Sequence, residues 1–308
     1  MAISGEQAAV FEQAARRRSL PWYVDVVIRL VRDKPLGAFG AAIVLLFVLV
    51  AVFADLLATY PYERVHLADT LLPPGAAATD GPPYVLGTDN LGRDVYSRIV
   101  YGARVSMTVA FGAVGFGIFF AVLLGTLSAY LGGVVDLVLQ RIVDAWIALP
   151  FFILLLSIMM IFEPGIGPVI FALALGSTFI NSRVVRSVVL STMTMPYIEA
   201  ARCIGAGNGR IIVRHILPNI LAPIIVVATL GLGFAILAES SLSFLGLGVP
   251  PPYPTWGQML SGSSRAFMYE APWLAVVPGV AITLAVFGFN MFGDALRDLL
   301  DPRLRGGR

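Results

Sequence analysis

The stretch 197–219, YIEAARCIGAGNGRIIVRHILPN, is a polar segment with helical spacing that lies between two long apolar runs. It contains four charged residues, a histidine, three glycines and a proline. Charged residues are costly at the centre of a bilayer, whereas the flanking runs have almost none. The sequence therefore predicts two membrane spans joined by a shaped helical element outside the lipid.

The composition of the whole chain agrees with a membrane protein. Its 308 residues are 58% hydrophobic and 13% charged, and the mean hydropathy is +0.85. Soluble domains have about 25% charged residues. Apolar runs of about 20 residues recur, and each is long enough to cross a hydrocarbon layer of about 30 Å. These features predict an all-α polytopic membrane protein.

The apolar runs predict six transmembrane helices, at about 36–58, 105–127, 137–162, 169–190, 220–241 and 273–292. Residues 1–35 form an N-terminal segment, and within it 20–34 has charged and apolar residues on opposite faces, as a helix lying on a membrane surface does. A loop rich in proline and glycine, 59–104, follows the first span. The remaining spans form a core at 105–292, and 293–308 is a tail.

The positions of the basic residues predict the orientation in the membrane. With six spans both ends lie on one side, and that side has 16 of the 21 lysine and arginine residues. Basic residues concentrate on the cytoplasmic side of membrane proteins. Both termini are therefore predicted to be cytoplasmic, and the loop 59–104 extracytoplasmic.

We call residues 192–218 the elbow. Pro196 suits a first helical turn, and Glu199 in that turn suits the helix dipole. Ala200 and Ala201 leave a low surface, and Gly205 begins a glycine-rich break before a second short helix. One interpretation is a connector packed on its own spans. The length and shape of the elbow favour the other interpretation, a docking element for a cytoplasmic partner.

At this point the sequence resembles a known family. Glu199-Ala200-Ala201, Gly205 and Leu217-Pro218 resemble the EAA signature of permease subunits of binding-protein-dependent ATP-binding cassette importers. The sequence departs from that signature at His215, where isoleucine is usual. Four further stretches, 86–106, 144–155, 238–260 and 293–305, resemble the dipeptide/oligopeptide branch.

The resemblance implies the type I importer permease fold in the inner or plasma membrane of a bacterium or archaeon. It also implies that the first helix of the elbow is a coupling helix seated in a groove of an ATPase subunit. The implied partners are two cytoplasmic ATPase subunits, a second, related permease chain and an extracytoplasmic substrate-binding protein. Peptides are the implied cargo; nickel chelates, glutathione and sugars are alternatives within the class.

The chain itself lacks the means to hydrolyse ATP. A P-loop needs a lysine after glycine, but the only lysine, Lys34, is followed by Pro35 and has no glycine before it. We therefore expect partner subunits to use ATP and magnesium, and this chain to have no catalytic residue, cofactor, metal site or nucleic-acid partner. Cys203, as the single cysteine, excludes an internal disulfide and a cysteine-based metal site.

Charged groups within spans are functional candidates because burying them is costly. Arg141 and Asp144 are three residues apart, which favours a structural ion pair near the cytoplasmic interface. Asn181, Arg183 and Arg186 either line an inner vestibule or, for the arginines, reach lipid phosphate.

Near the end of the fifth span, Glu239, Ser240 and Ser241 form another polar group. They either line the passage or brace the adjacent loop, and the sequence does not decide between these roles.

Two other classes of protein are alternatives. An ion-gradient transporter usually shows internal symmetry or paired broken spans, and neither is evident in the sequence. An intramembrane enzyme would need a catalytic motif, but the chain contains neither HExxH nor GxSxG.

Overall fold

Long helices packed side by side make up most of the molecule. The computed structural model describes residues 22–300, with side chains from residue 28 onward except at 263 and 264. Within that range the chain forms no β-strand. The helices are α1 (Trp22–Asp33), α2 (Pro35–Val52), α3 (Ala54–Leu57), α4 (Val95–Leu131), α5 (Gly133–Ile147), α6 (Phe151–Met159), α7 (Ile166–Met193), α8 (Pro196–Cys203), α9 (Asn208–Ile211), α10 (Leu217–Phe244), α11 (Trp256–Leu260), α12 (Ser263–Phe267) and α13 (Trp273–Leu300).

Five of these helical runs are long and apolar enough to cross a membrane. They are α2, α4, α7, α13 and the run Asn208–Phe244, which contains α10. The bent pair α5 and α6 makes a sixth if it is one crossing. The all-α polytopic prediction is therefore confirmed, with six spans on that reading.

The third predicted span is broken rather than continuous over 137–162. Helix α5 ends at Ile147, α6 begins at Phe151, and the two meet at 87°. Pro150 explains the break, since proline has no N–H to donate and disfavours helical backbone at Leu149 before it. The nine residues of α6 extend only about 14 Å, which is too short to cross the bilayer alone.

Two other spans are longer than predicted. Helix α4 begins at Val95 instead of near 105, because the Asp94 carboxylate accepts a hydrogen bond from the Ser97 N–H at 2.9 Å and caps the first turn. Its 37 residues extend about 55 Å, so part of it lies outside the lipid. Helix α13 continues past 292 to Leu300. The described residues do not include 301–308 of the predicted tail or 1–21 of the N-terminal segment.

Arg104 fixes the end of α2 against the beginning of α4. Its guanidinium donates to the carbonyls of Ala51 and Val52, at 2.8 and 3.3 Å, and pairs with Asp55 at 2.9 Å. The last carbonyls of a helix lack partners within it, so this arginine caps α2. The hydrogen bond from Arg104 lowers the pKa of the Asp55 carboxyl.

The bundle has an elbow end and a loop end. Lys34, before α2, pairs with Asp298 near the end of α13 at 2.5 Å. The Tyr130 hydroxyl, at the end of α4, donates to the Asn208 side chain at 2.8 Å. The elbow end of the bundle therefore contains residues 34 and 298 as well as the elbow. Residues 59–94 and 245–272 lie at the other, where the Trp273 indole donates to the Thr88 carbonyl at 3.2 Å.

Glycines permit the closest helix contacts. A β-carbon at Gly125 of α4 would lie 2.6 Å from the Ser182 carbonyl oxygen of α7, and one at Gly40 of α2 would lie 2.8 Å from the Gly288 carbonyl oxygen of α13. Side chains do not fit at such distances. Small residues therefore set these helix packings, as they do in many membrane proteins.

Candidate functional site

The elbow folds as a short amphipathic helix that packs on the ends of the spans. Proline occupies the first turn of α8, and Glu199 lies in that turn. Ile198 and Ala201 are buried against residues of α4 and α7, including Ala129 and Val189. The helix is thus fixed to the bundle along one face.

Helix α8 ends in a two-bond cap that requires glycine. Gly205 has φ +76°, a left-handed conformation that is costly for other residues. Its N–H donates to the Arg202 carbonyl at 2.9 Å, and the Ala206 N–H donates to the Ala201 carbonyl at 3.0 Å. This is the Schellman motif, and it gives Gly205 of the signature a defined structural role.

The second half of the elbow continues directly into a span. Residues Asn208–Phe244 form one helical run of 37 residues, which includes a π-helical turn at Ile212–Ile216. The predicted second short helix is therefore present, but it does not end before Pro218. Leu217 and Pro218 lie where this turn passes into α10, and the missing proline N–H is tolerated there.

The outer face of the elbow exposes apolar side chains. Ile204 is 86% exposed and Val213 65%, and Tyr197 is also exposed. Glu199 and Ala200 are exposed in the same segment, whereas Ala201 is buried.

Asn181 lines a cleft of about 380 Å³ between α4, α7 and α10. The remaining lining is mostly apolar and includes Phe151, Leu230 and Phe234. Asn181 and Ser177 are its polar residues, and a cleft with few polar groups among apolar walls is typical of a binding pocket. Leu230 and Phe234 belong to the helical run that begins in the elbow.

Arg183 does not share that cleft. It pairs with Asp144, which also pairs with Arg141 at 3.3 Å. The expected Arg141–Asp144 pair is therefore present, but the prediction for Arg183, a vestibule or lipid phosphate, missed this partner on α5. All three side chains are exposed on the surface of the bundle.

Glu239 lies in a contact between two spans. Its side chain is fully buried and accepts hydrogen bonds from Ser243 at 2.7 Å and Ser106 at 3.3 Å, which join α10 to α4. Ser240 and Ser241 instead line a separate cleft of about 490 Å³ between α10 and α13. The three adjacent residues therefore do not form one site.

Sequence reasoning missed a bidentate ion pair on the elbow side of the bundle. Arg186 of α7 donates to both carboxylate oxygens of Asp136 on α5, at 2.7 and 2.5 Å. The Ser128 hydroxyl of α4 donates to the same carboxylate. These residues tie three helices together, but the pair is 50 positions apart in sequence and has no local signature.

At the loop end, the Asp69 carboxylate organises residues 59–94. It accepts hydrogen bonds from the Thr79 hydroxyl at 2.5 Å, the Thr79 N–H at 3.2 Å and the Tyr84 hydroxyl at 2.9 Å. These bonds, with the Thr79 hydroxyl first, lower the pKa of Asp69. Burial, together with the hydrogen bond to Asp69, raises the pKa of Tyr84. The loop is thus a folded unit.

Known proteins similar in sequence to this chain are membrane components of transport systems. Residues 116–306 match the family described as "Binding-protein-dependent transport system inner membrane component", and residues 21–74 match "N-terminal TM domain of oligopeptide transport permease C". A dipeptide transport system permease protein DppC of Alkalihalophilus pseudofirmus is 43% identical over 285 residues, 92% of this chain and 91% of that protein. An oligopeptide transport system permease protein OppC of Bacillus subtilis is 35% identical, covering 94% and 92%.

A third relative and one solved structure are also similar to this chain. A glutathione transport system permease protein GsiD of Pectobacterium atrosepticum is 39% identical and covers 85% of each chain. Among solved structures, an inward-facing form of the methionine ABC transporter MetNI aligns with a TM-score of 0.56 at 19% identity, over 66% of this chain and 96% of that one. At that identity the likeness concerns the fold alone.

Proposed function

Since the chain belongs to the family of binding-protein-dependent transport system inner membrane components, which confirms the resemblance in its motifs, we propose that it carries peptides through the membrane as one permease subunit of an ATP-driven importer. It is a multi-pass protein of the inner membrane. Relatives named for dipeptides and oligopeptides cover nine-tenths of the chain, which supports peptide cargo. The glutathione-transport relative makes glutathione, itself a small peptide, the second candidate.

The observation that carries the coupling role is the construction of the elbow. Helix α8 has a buried face that fixes it to α4 and α7, and an exposed face that includes Ile204. We assign the exposed face, with Glu199 and Ala200, to an ATPase subunit on the cytoplasmic side. Gly205 holds the shape of this element through its left-handed conformation.

Motion of the ATPase would pass from the elbow to the cleft through continuous helix. The run Asn208–Phe244 is unbroken, so a displacement at its elbow end moves Leu230 and Phe234 in the wall of the cleft. ATP binding then favours one access state of the passage over the other. The chain itself performs no covalent chemistry in this mechanism.

We assign the partners of this importer class to the two ends of the bundle. Two ATPase subunits bind at the elbow end and use ATP with magnesium. A second, related permease chain supplies the other side of the passage. A substrate-binding protein docks at the loop end, where the folded loop built on Asp69 offers a rigid surface. In this arrangement the elbow end, with both termini, faces the cytoplasm.

Uptake by the reconstituted importer tests the proposal. Proteoliposomes that contain all subunits and the external binding protein should take up a labelled dipeptide when ATP is enclosed, with or without an ionophore. Glu199→Lys should abolish uptake and ATPase stimulation while membrane insertion persists. Uptake that requires an ion gradient instead of ATP, or full activity of the variant, would refute the proposal.

A further inference from the structure

A second cavity, of about 350 Å³, lies at the loop end of the bundle. It opens between the beginning of α4 and the segment that follows α10. Its polar lining consists of Asp89, Arg93, Arg98, Ser243, Gln258 and Ser261, of which Ser243 already donates to Glu239. None of these residues belongs to the elbow or to the cleft around Asn181, so the coupling mechanism proposed above does not use the cavity.

The charges in this cavity do not balance. The Asp89 carboxylate accepts the N–H groups of Leu91 and Arg93, at 2.9 and 3.0 Å, and the Arg93 Nε–H at 2.7 Å. Arg98 comes no closer to that carboxylate than 4.0 Å. Two guanidinium groups therefore share one carboxylate, and Arg93 holds it.

Arg98 is both buried and poorly partnered. It is 4% exposed, yet among residues 22–300 its guanidinium makes a single hydrogen bond, from Nη1 to the Tyr62 carbonyl at 3.3 Å. A guanidinium has five N–H donors, and burying a charge without hydrogen-bond partners is costly. A fold that holds such a group at the wall of a cavity has a strong site for an anion.

We propose that this cavity binds one carboxylate group, which pairs with Arg98. A carboxylate fits because it accepts two parallel N–H bonds from a guanidinium and balances the single excess positive charge. The Gln258 side chain lies in the same wall, and Val249 and Leu274 provide apolar walls beside it. The inference rests on the proposed function in that the loop end faces outside.

The carboxylate has two possible sources, the C-terminus of a peptide or an acidic side chain of the docked binding protein. The whole importer in nanodiscs, without nucleotide, distinguishes them. In one arm, calorimetry compares alanyl-alanine with its C-terminal amide in the absence of binding protein. In the other arm, surface plasmon resonance measures the affinity for the peptide-free binding protein.

Arg98→Gln should weaken binding about tenfold or more in one arm, because a charge-assisted bond is lost, and Arg98→Lys should retain part of it. Weakening in the first arm identifies the peptide as the source, and weakening in the second identifies the protein. Arg64→Gln removes an exposed charge from the same end of the bundle and should leave the first arm, peptide binding, unchanged.

Ser261→Trp fills the cavity without altering Arg98 and should weaken binding in the same arm as Arg98→Gln. This second variant keeps the test valid if Arg98→Gln does not insert into the membrane. If the Arg98 and Ser261 variants insert and bind both the peptide and the binding protein with wild-type affinity, the proposal is wrong. It is also wrong if the wild-type importer binds neither of them. ATP-driven peptide uptake by the same wild-type preparation tests the importer function separately.

Discussion

Gly205→Ala should loosen the elbow because of one backbone angle. Gly205 has φ +76°, and a β-carbon there meets nothing within 4 Å, so the substitution introduces strain without a clash. Left-handed backbone costs an L-residue about 1–2 kcal/mol. That energy favours opening of the cap by a factor of about 5–30. The amides of Gly205 and Ala206, which donate to α8 carbonyls, should exchange with deuterium faster by that factor.

Gly207→Ala is the matched control for this measurement. Gly207 has φ −66°, which alanine adopts readily, and a β-carbon there also meets nothing within 4 Å. Hydrogen exchange of the peptic fragments that cover 196–211 should therefore accelerate in Gly205→Ala alone, together with a loss of ATPase stimulation. Equal exchange in the two variants would refute the argument from backbone conformation.

Three further perturbations have defined outcomes. Asp136→Asn removes the carboxylate that pairs with Arg186 and should lower the free energy of unfolding by about 1.5–3 kcal/mol, measured as a lower melting temperature of the purified protein. An unchanged melting temperature would contradict a stabilising role for this ion pair. Glu239→Gln keeps one acceptor oxygen and offers its amide N–H to the other serine hydroxyl, so it should be tolerated, whereas Glu239→Leu leaves buried hydroxyls unpaired and should cost about 1–3 kcal/mol; equal melting temperatures would count against bracing. Because hydrogen bonds led by Thr79 lower the pKa of Asp69, its stabilisation is complete above the ordinary value of about 3.9 and is lost as the pH falls through the lowered pKa. Proteolysis of the loop should therefore increase in strong acid, and Asp69→Asn should remove that pH dependence.

The features fixed by local chemistry were predictable from the sequence. Long apolar runs gave the spans, and the order of Pro196, Glu199 and Gly205 predicted where α8 begins and breaks. The third span was predicted as continuous although it contains Pro150, because neighbouring helices decide whether a proline bends a span or interrupts it.

The features that depend on distant residues could not be predicted. Asp136 and Arg186 meet only because α5 and α7 pack together. Glu239 remained ambiguous because its role depends on Ser106, which is 133 positions away. The start of α4 was placed too late because Arg98 and Arg104 lower the hydropathy there, although Asp94 gives a cap signal in the sequence.

Cross-linking from the tip of the elbow tests the central claim most directly. In a Cys203→Ala background, a cysteine replaces Ile204, which is 86% exposed, or Leu67 at the loop end, which is 71% exposed. With all subunits co-expressed, the cysteine at 204 should form a disulfide with cysteines placed on the ATPase surface and block transport until it is reduced, and the cysteine at 67 should not. An active importer in which position 204 never captures the ATPase would contradict the coupling role of the elbow.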